Sequence, residues 1–218
     1  MIKALAPLGL MGVLILLGAT VQPTSAAFPG DNGKIAFVVQ DFGDRHVWTM
    51  NPDGSERTQV TFGDDADYQP SWSPDGTELV FRRNAAAFGD KGLYIVGADG
   101  QHLRKIPGTE DGFTASWSPD GGRIAFEDES RIAVIDVDGT GFIEVTGGVD
   151  GTQYSADWSP DNERIAVVNN SKAGEVDIWT INMDGTGLEQ ITNTPSVSEE
   201  NSNWSPEGSR LVFGASER

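Results

Sequence analysis

The hexamer SWSPDG stands at residues 71–76 and again at 116–121. Two looser copies follow, DWSPDNERIAVV from Asp157 and NWSPEGSRLVF from Asn203, and a worn one, FPGDNGKIAF, holds Phe28 in the place of the Trp. The aromatic slots are therefore 28, 72, 117, 158 and 204, spaced by 44, 45, 41 and 46 residues. Seven places after each slot comes an apolar residue: Ile35, Leu79, Ile124, Ile165 and Leu211. Five phased copies at such a period mark a repeat protein. The phase constrains the fold more tightly than any average property of the chain.

A second signal keeps the same phase. Asp-Gly pairs occur at 53–54, 99–100, 138–139 and 184–185, each 21 to 27 residues after a slot. Asp-Gly between alternating apolar runs is a hairpin signal. In the slot motif Pro74, Pro119, Pro160 and Pro206 preset φ, and Gly76 and Gly121 accept a positive φ. Within one repeat the runs YQPSWS, ELVFRR, GLYIVG and HLRKIPG read as four short strands. Four antiparallel strands per 41–46 residues is one propeller blade. The expected fold is all-β: a β-propeller of four-stranded antiparallel blades, with four full repeats and a partial fifth. Trp72, Trp117, Trp158 and Trp204 are expected to fill the gaps between blades.

Residues 1–27 are of another kind. Lys3 is the one charge, an apolar run extends from Leu8 to Val21, and Ser25 and Ala27 occupy the −3 and −1 places of a cleavage site. This reads as a secretory signal peptide cut after Ala27, with an uncleaved membrane anchor as the competing reading. The mature propeller would then be 28–218, exported to the periplasm or the cell exterior, with no membrane span left. Cleavage takes the formal net charge from −18 to −19. A strongly anionic surface disfavours nucleic acid and anionic lipid as partners. The chain has no Cys, so export brings neither disulfides nor a thioether-linked lipid.

The strings WSPDGGRIAF at 117–126 and DIWTINMDGTG at 177–187 resemble the WD40-like repeats of the TolB-type propeller family. Similar repeats occur in the propeller domains of prolyl-oligopeptidase-type peptidases. The resemblance covers 28–213 and implies the propeller fold. It implies no particular activity, because one fold hosts many functions. The N-terminal α/β domain of TolB has no counterpart between Ala27 and the first repeat, which puts a Tol–Pal-like envelope role in doubt. The family propeller usually has six blades, whereas the last repeat here stops after two strands. Three readings follow: a piece of a longer protein, self-closure of the last inner strand onto the first blade, or assembly with a second copy through the open blade edge.

Short uniform turns are expected on one end of the propeller and loops of varied length on the other, and varied loops on a rigid scaffold are where binding resides. The varied end is acidic, with Asp64, Asp65, Glu110, Asp111 and Glu200 prominent and only Arg45, Lys91, Arg131 and Lys172 against them. Such a field favours a cationic ligand, a divalent ion or a basic protein surface; the competing reading is a solvated rim. Five places before each Trp lie Asp67, Gly112, Gln153 and Glu199, expected near the central channel as binding groups.

No cofactor is expected. An EF-hand-like loop needs acids at places 1, 3 and 5, Gly at 6 and Glu at 12. DVDGTG offers Asp136 and Asp138, but its Gly follows too soon and place 12 would be Gly147. Calcium held jointly by several acidic loops stays open. His46 and His102 stand in different repeats, and no G-x-S-x-G elbow occurs. The leading expectation is a non-catalytic scaffold that binds a protein or a small ligand. The alternative is the propeller portion of a secreted hydrolase, peptidase-like or a carboxylate-based glycosidase.

Overall fold

The computed structural model describes residues 33–41, 44–84, 91–171 and 173–217. Among them no helix occurs. The first blade holds β1 (Ile35–Asp41), β2 (Asp44–Met50) and β3 (Thr58–Gln59). The second holds β4 (Ala66–Trp72), β5 (Glu78–Asn84), β6 (Gly92–Gly97) and β7 (Arg104–Lys105). The third holds β8 (Phe113–Trp117), β9 (Arg123–Asp128), β10 (Arg131–Asp136) and β11 (Ile143–Glu144). The fourth holds β12 (Thr152–Trp158), β13 (Arg164–Asn170), β14 (Val176–Asn182) and β15 (Glu189–Gln190). The fifth holds β16 (Val197–Trp204) and β17 (Leu211–Glu217). The signal-peptide reading, the Phe28 slot and the inner strand of the first repeat all lie outside the described residues.

Neighbours within a blade are antiparallel, as the hairpin turns require. The outer strands are only two residues long. In the second blade Tyr94 pairs with Lys105 and Ile95 with Arg104. Pro107 then has no N–H to extend the ladder. Single parallel bridges, Arg45 to Ala66 and Val176 to Ser198, join the third strand of one blade to the inner strand of the next.

The slot motif closes on itself through side chains. In the second blade Ser73 Oγ donates to Asp75 Oδ1 at 2.7 Å and accepts the Glu78 N–H at 2.9 Å, while Thr77 N donates to Asp75 Oδ1 at 3.0 Å. The third blade repeats this with Ser118, Asp120, Gly122 and Arg123, and the fourth with Ser159, Asp161, Glu163 and Arg164. The fourth residue of the turn is left-handed: Gly76 at φ 70°, Gly121 at 74° and Asn162 at 67°. Gly and Asn are the residues that tolerate this region best. Ser, Pro, Asp and Gly thus recur because each supplies a separate part of one turn.

The core is divided into seams rather than gathered in one mass. One apolar cluster joins Val80, Leu93 and Ile95 of the second blade to Trp117, Phe126 and Ile135 of the third. The next joins Ile132 and Val134 to Trp158, Val167 and Ile181. Others lie between first and second and between fourth and fifth blades. Trp117, Trp158 and Trp204 are 3%, 3% and 8% exposed, as wedges between blades should be, and Trp72 is partly buried. β17 is flanked by β16 on one side and by no described strand on the other. Its Val212 and Phe213 are 69% and 39% exposed, while Ala166 and Val167, at the equivalent places of the fourth blade, are 0% and 1%.

Truncation of a fully packed aromatic costs about 3–5 kcal/mol. Trp158→Ala is expected to lose that much in urea unfolding followed by circular dichroism, and Trp72→Ala clearly less. Equal losses at the two positions would contradict the seam assignment.

Candidate functional site

All four described inner strands carry the same irregularity. The ladder register slips between Tyr68 and Ser71, Phe113 and Ser116, Tyr154 and Asp157, and Glu200 and Asn203. Three places before each Trp, a residue other than Gly has positive φ: Gln69 at 50°, Thr114 at 49°, Ser155 at 56° and Asn201 at 56°. Each is a β-bulge in which two residues oppose one. Side chains alternate faces along a strand, so one extra residue reverses the alternation beyond it.

That reversal corrects one sequence expectation. Asp67, Gln153 and Glu199 do not line an open channel; they are 0%, 0% and 2% exposed. The bulge turns the residue five places before the Trp onto the Trp's own side. Gln153 accepts from Arg131 Nη1 of the preceding blade at 2.8 Å and donates to Asn169 Oδ1 at 2.8 Å. Glu199 hydrogen-bonds Asp177, likewise of the preceding blade. Burial, then Glu199, holds Asp177 above the usual carboxylate range. Asp67 is gripped by Arg83 of its own blade through two bonds of 2.7 and 2.8 Å. Gly112 is buried too, and a Cβ there would meet Phe126 and Leu93.

The residue just before each Trp takes the axial place instead. Ser71, Ser116, Asp157 and Asn203, with Trp117, Trp158 and Trp204, line a cavity of about 190 Å3 among the inner strands. The sequence marks these four only weakly: the place before the slot is polar in each of the four Trp repeats, but Ala27 precedes Phe28. Asp157 accepts the Trp204 N–H at 2.7 Å, and Trp158 Nε1 donates to the Ser116 carbonyl at 3.2 Å, so both tie one inner strand to another. Burial pushes the Asp157 carboxyl up to about 6, and the Trp204 N–H only partly offsets it.

The loop end of the blades keeps its surplus of acid. Asp64, Glu110, Asp111 and Glu200 are exposed, and Asp65 is partly so, 3.6 Å from Arg83. Lys105 reaches Glu110 at 3.0 Å and Lys91 reaches Asp111 at 2.5 Å, and each lowers its partner's pKa. These two lysines do not neutralise the group. Asp128 is held above the usual range by burial and then by Glu129, Asp111, Glu144 and Glu110. The second and third blades thus bring five acids into one field, Asp128, Glu129 and Glu144 beside Glu110 and Asp111. Burial, then Glu200 and Glu127, raises the Tyr154 hydroxyl, which carries the field toward the fifth blade. Among the described residues no group of three or more His, Cys, Asp or Glu is arranged to hold a metal ion. No described helix is long and apolar enough to cross a membrane.

Comparison with known proteins gives one family match. The model of the TolB beta propeller domain matches residues 90–218. A TolB homolog from Chlorobium luteolum is 33% identical over 82 residues, which are 37% of this chain and 18% of that protein. Among solved structures, TolB from Acinetobacter baumannii superposes with a TM-score of 0.72 at 18% identity, covering 86% of this chain and 48% of that one. Oligogalacturonate lyase from Vibrio parahaemolyticus gives 0.65 at 14% identity, covering 89% and 58%. The chain therefore spans only part of each of these relatives, and the two structures bear on the fold alone.

Asp157 gives a signed pH dependence. Its folded pKa, about 6, lies above its ordinary 3.8, so its contribution to stability is complete below 3.8 and lost as pH rises through 6. The loss is on the order of 3 kcal/mol. Asp157→Asn keeps an oxygen for the Trp204 N–H and cannot ionise. It is expected to melt several degrees higher than the parent at pH 8 and alike at pH 4. Identical curves at pH 8 would refute the assignment.

Proposed function

The chain belongs to the TolB beta propeller domain family, and from that premise we propose that it is an exported, non-catalytic binding scaffold whose acidic loop end receives a cationic protein surface or ligand. Export rests on Lys3, the apolar run Leu8–Val21 and the small residues before Phe28. The observation that carries the binding reading is the convergence of Glu110, Asp111, Glu129 and Glu144 on half-buried Asp128, whose carboxyl is held above the usual range first by burial and then by these four charges. A buried carboxyl next to several like charges lowers its energy when a cation arrives. The rigid blades hold these loops in place, which reduces the ordering cost of binding.

A glycosidase reading needs two carboxyl groups facing one substrate. Asp177 and Glu199 face each other, but at 5% and 2% exposure they are closed off from any substrate. The likeness to oligogalacturonate lyase reaches the fold and not the chemistry.

The test is capture of Lys/Arg-rich peptides by the purified propeller, read by calorimetry at two ionic strengths. Affinity is expected to fall steeply above ~0.15 M salt, where the Debye length is about 8 Å. The double variant Asp128→Asn, Glu129→Gln is expected to bind several-fold more weakly with its melting temperature retained. Salt-independent binding, or undiminished affinity in that variant, would sink the proposal.

A further inference from the structure

The fifth blade is described by two strands, β16 and β17, and a hairpin of two strands is marginal by itself. It is held by docking on the fourth blade. Leu211 packs against Val168, Val176 and Ile178, and a single bridge joins Val176 to Ser198. Three polar contacts across this seam involve carboxyl groups. Asp157 of β12 accepts the Trp204 N–H at 2.7 Å, the Tyr154 hydroxyl donates to Glu200, and Asp177 of β14 bonds Glu199 of β16.

The repeat supplies a comparison for the last of these. Two places are equivalent in every seam: the third-strand residue that pairs with the position eleven after the slot, and the residue five before the next Trp. They hold His46 and Asp67, Gly92 and Gly112, Arg131 and Gln153, and Asp177 and Glu199. Of the four seams, the fourth–fifth alone sets two acids against each other.

An ionised carboxylate only accepts hydrogen bonds, so two carboxyls bonded to each other share a proton. Gln190 Nε2 donates to Asp177 at 3.0 Å and Thr192 Oγ1 to Glu199 at 3.2 Å, which orients both groups. In the ladders Asn169 lies opposite Asp177 and Ala215 opposite Glu199, and Glu175 adds a further negative charge. Among the described residues no Lys or Arg forms an ion pair with Asp157, Asp177 or Glu199. Arg164 lies over the Trp204 ring, 5.0 Å from its centroid. Loss of the shared proton therefore leaves two like charges in a buried seam with no described counter-ion. Undocking the fifth blade relieves them by admitting water. Asp157 acts in the same direction. Burial lifts it to about 6, and Asn203 and Trp204 of the fifth blade help to line the cavity beside it.

We propose that the fifth blade is a proton-operated latch: it stays docked while Asp177 and Glu199 share a proton, and comes away from the fourth blade as the pair ionises, ahead of any unfolding of the second to fourth blades. Released, the hairpin loses its packing, uncovers Val168 and Ile178, and opens one side of the axial cavity. The device is separate from the acidic loop end and does not depend on the reading given to it.

Amide hydrogen exchange tests the latch, because protection reports opening region by region. Protection factors, corrected for the intrinsic pH dependence of exchange, are compared at pH 5 and pH 8 for β16–β17 and for β9–β10. Those of β16–β17 are expected to fall about tenfold or more at pH 8, as for linkage to a single ionising group, while those of β9–β10 hold. Asp177→Asn and Glu199→Gln each keep a hydrogen bond between the two side chains without a shared proton. Each is expected to lose several-fold less protection at pH 8 than the parent, and adding Asp157→Asn is expected to remove the remaining fall. Melting temperatures at pH 5 identify the variants that fold as the parent does. An equal fall in both regions, no fall in β16–β17, or an undiminished fall in either folded single variant overturns the proposal.

Discussion

A blade of four short strands cannot dry its own faces, and everything else in this molecule follows from how the slot indole closes the seam to the next blade. Burying an indole removes about 150–250 Å2 from water, worth roughly 4–6 kcal/mol before conformational entropy is counted. Net stability of a whole domain is typically about 5–15 kcal/mol. One seam residue therefore weighs as much as a large share of the final balance. The same geometry explains why clusters of buried residues straddle blades instead of lying within them. It also fits the uneven exposure of the described residues: Val167 is covered in the third–fourth seam, whereas Val212 and Phe213 on β17, which has no described strand beyond it, are exposed.

The sequence displays this framework openly because the turns that make it are chemically demanding. Ser73, Asp75 and Gly76 each do a different task in one hairpin, so the string could recur almost letter for letter. The bulges were not legible for the opposite reason. A left-handed residue usually announces itself as Gly or Asn, yet the first three positions hold Gln69, Thr114 and Ser155, and only the last is an Asn, Asn201. Each of the first three costs about 1–2 kcal/mol in backbone strain. Gln153 and Glu199 stand at the entrance to the inner strand, where a channel position is expected, but the bulge turns them into the seams. The strain is offset where it is incurred: the reversal lets Gln153 meet Arg131 across the third–fourth seam. The axial residues were hidden by the same device, since Ser71, Ser116, Asp157 and Asn203 look like ordinary polar neighbours of a Trp until the bulge is known.

Net charge, too, divides once its positions are known. Asp75, Asp120 and Asp161 are ligands of their own turns, held ionised by hydroxyls and amides. They belong to the scaffold and are poor targets for an outside cation. Asp157 and Asp177 sit inside and resist ionisation. Only the remaining acids, concentrated at the loop end, present a field to solvent. The formal −18 therefore overstates the charge on offer to a partner but understates its concentration. Acids fixed in turns lose their contribution as pH falls, and acids forced into seams lose theirs as pH rises. Solvent screens the first group and not the second. On the alkaline side the loss falls on Asp157 and Asp177, the two seam carboxyls that burial holds above the usual range.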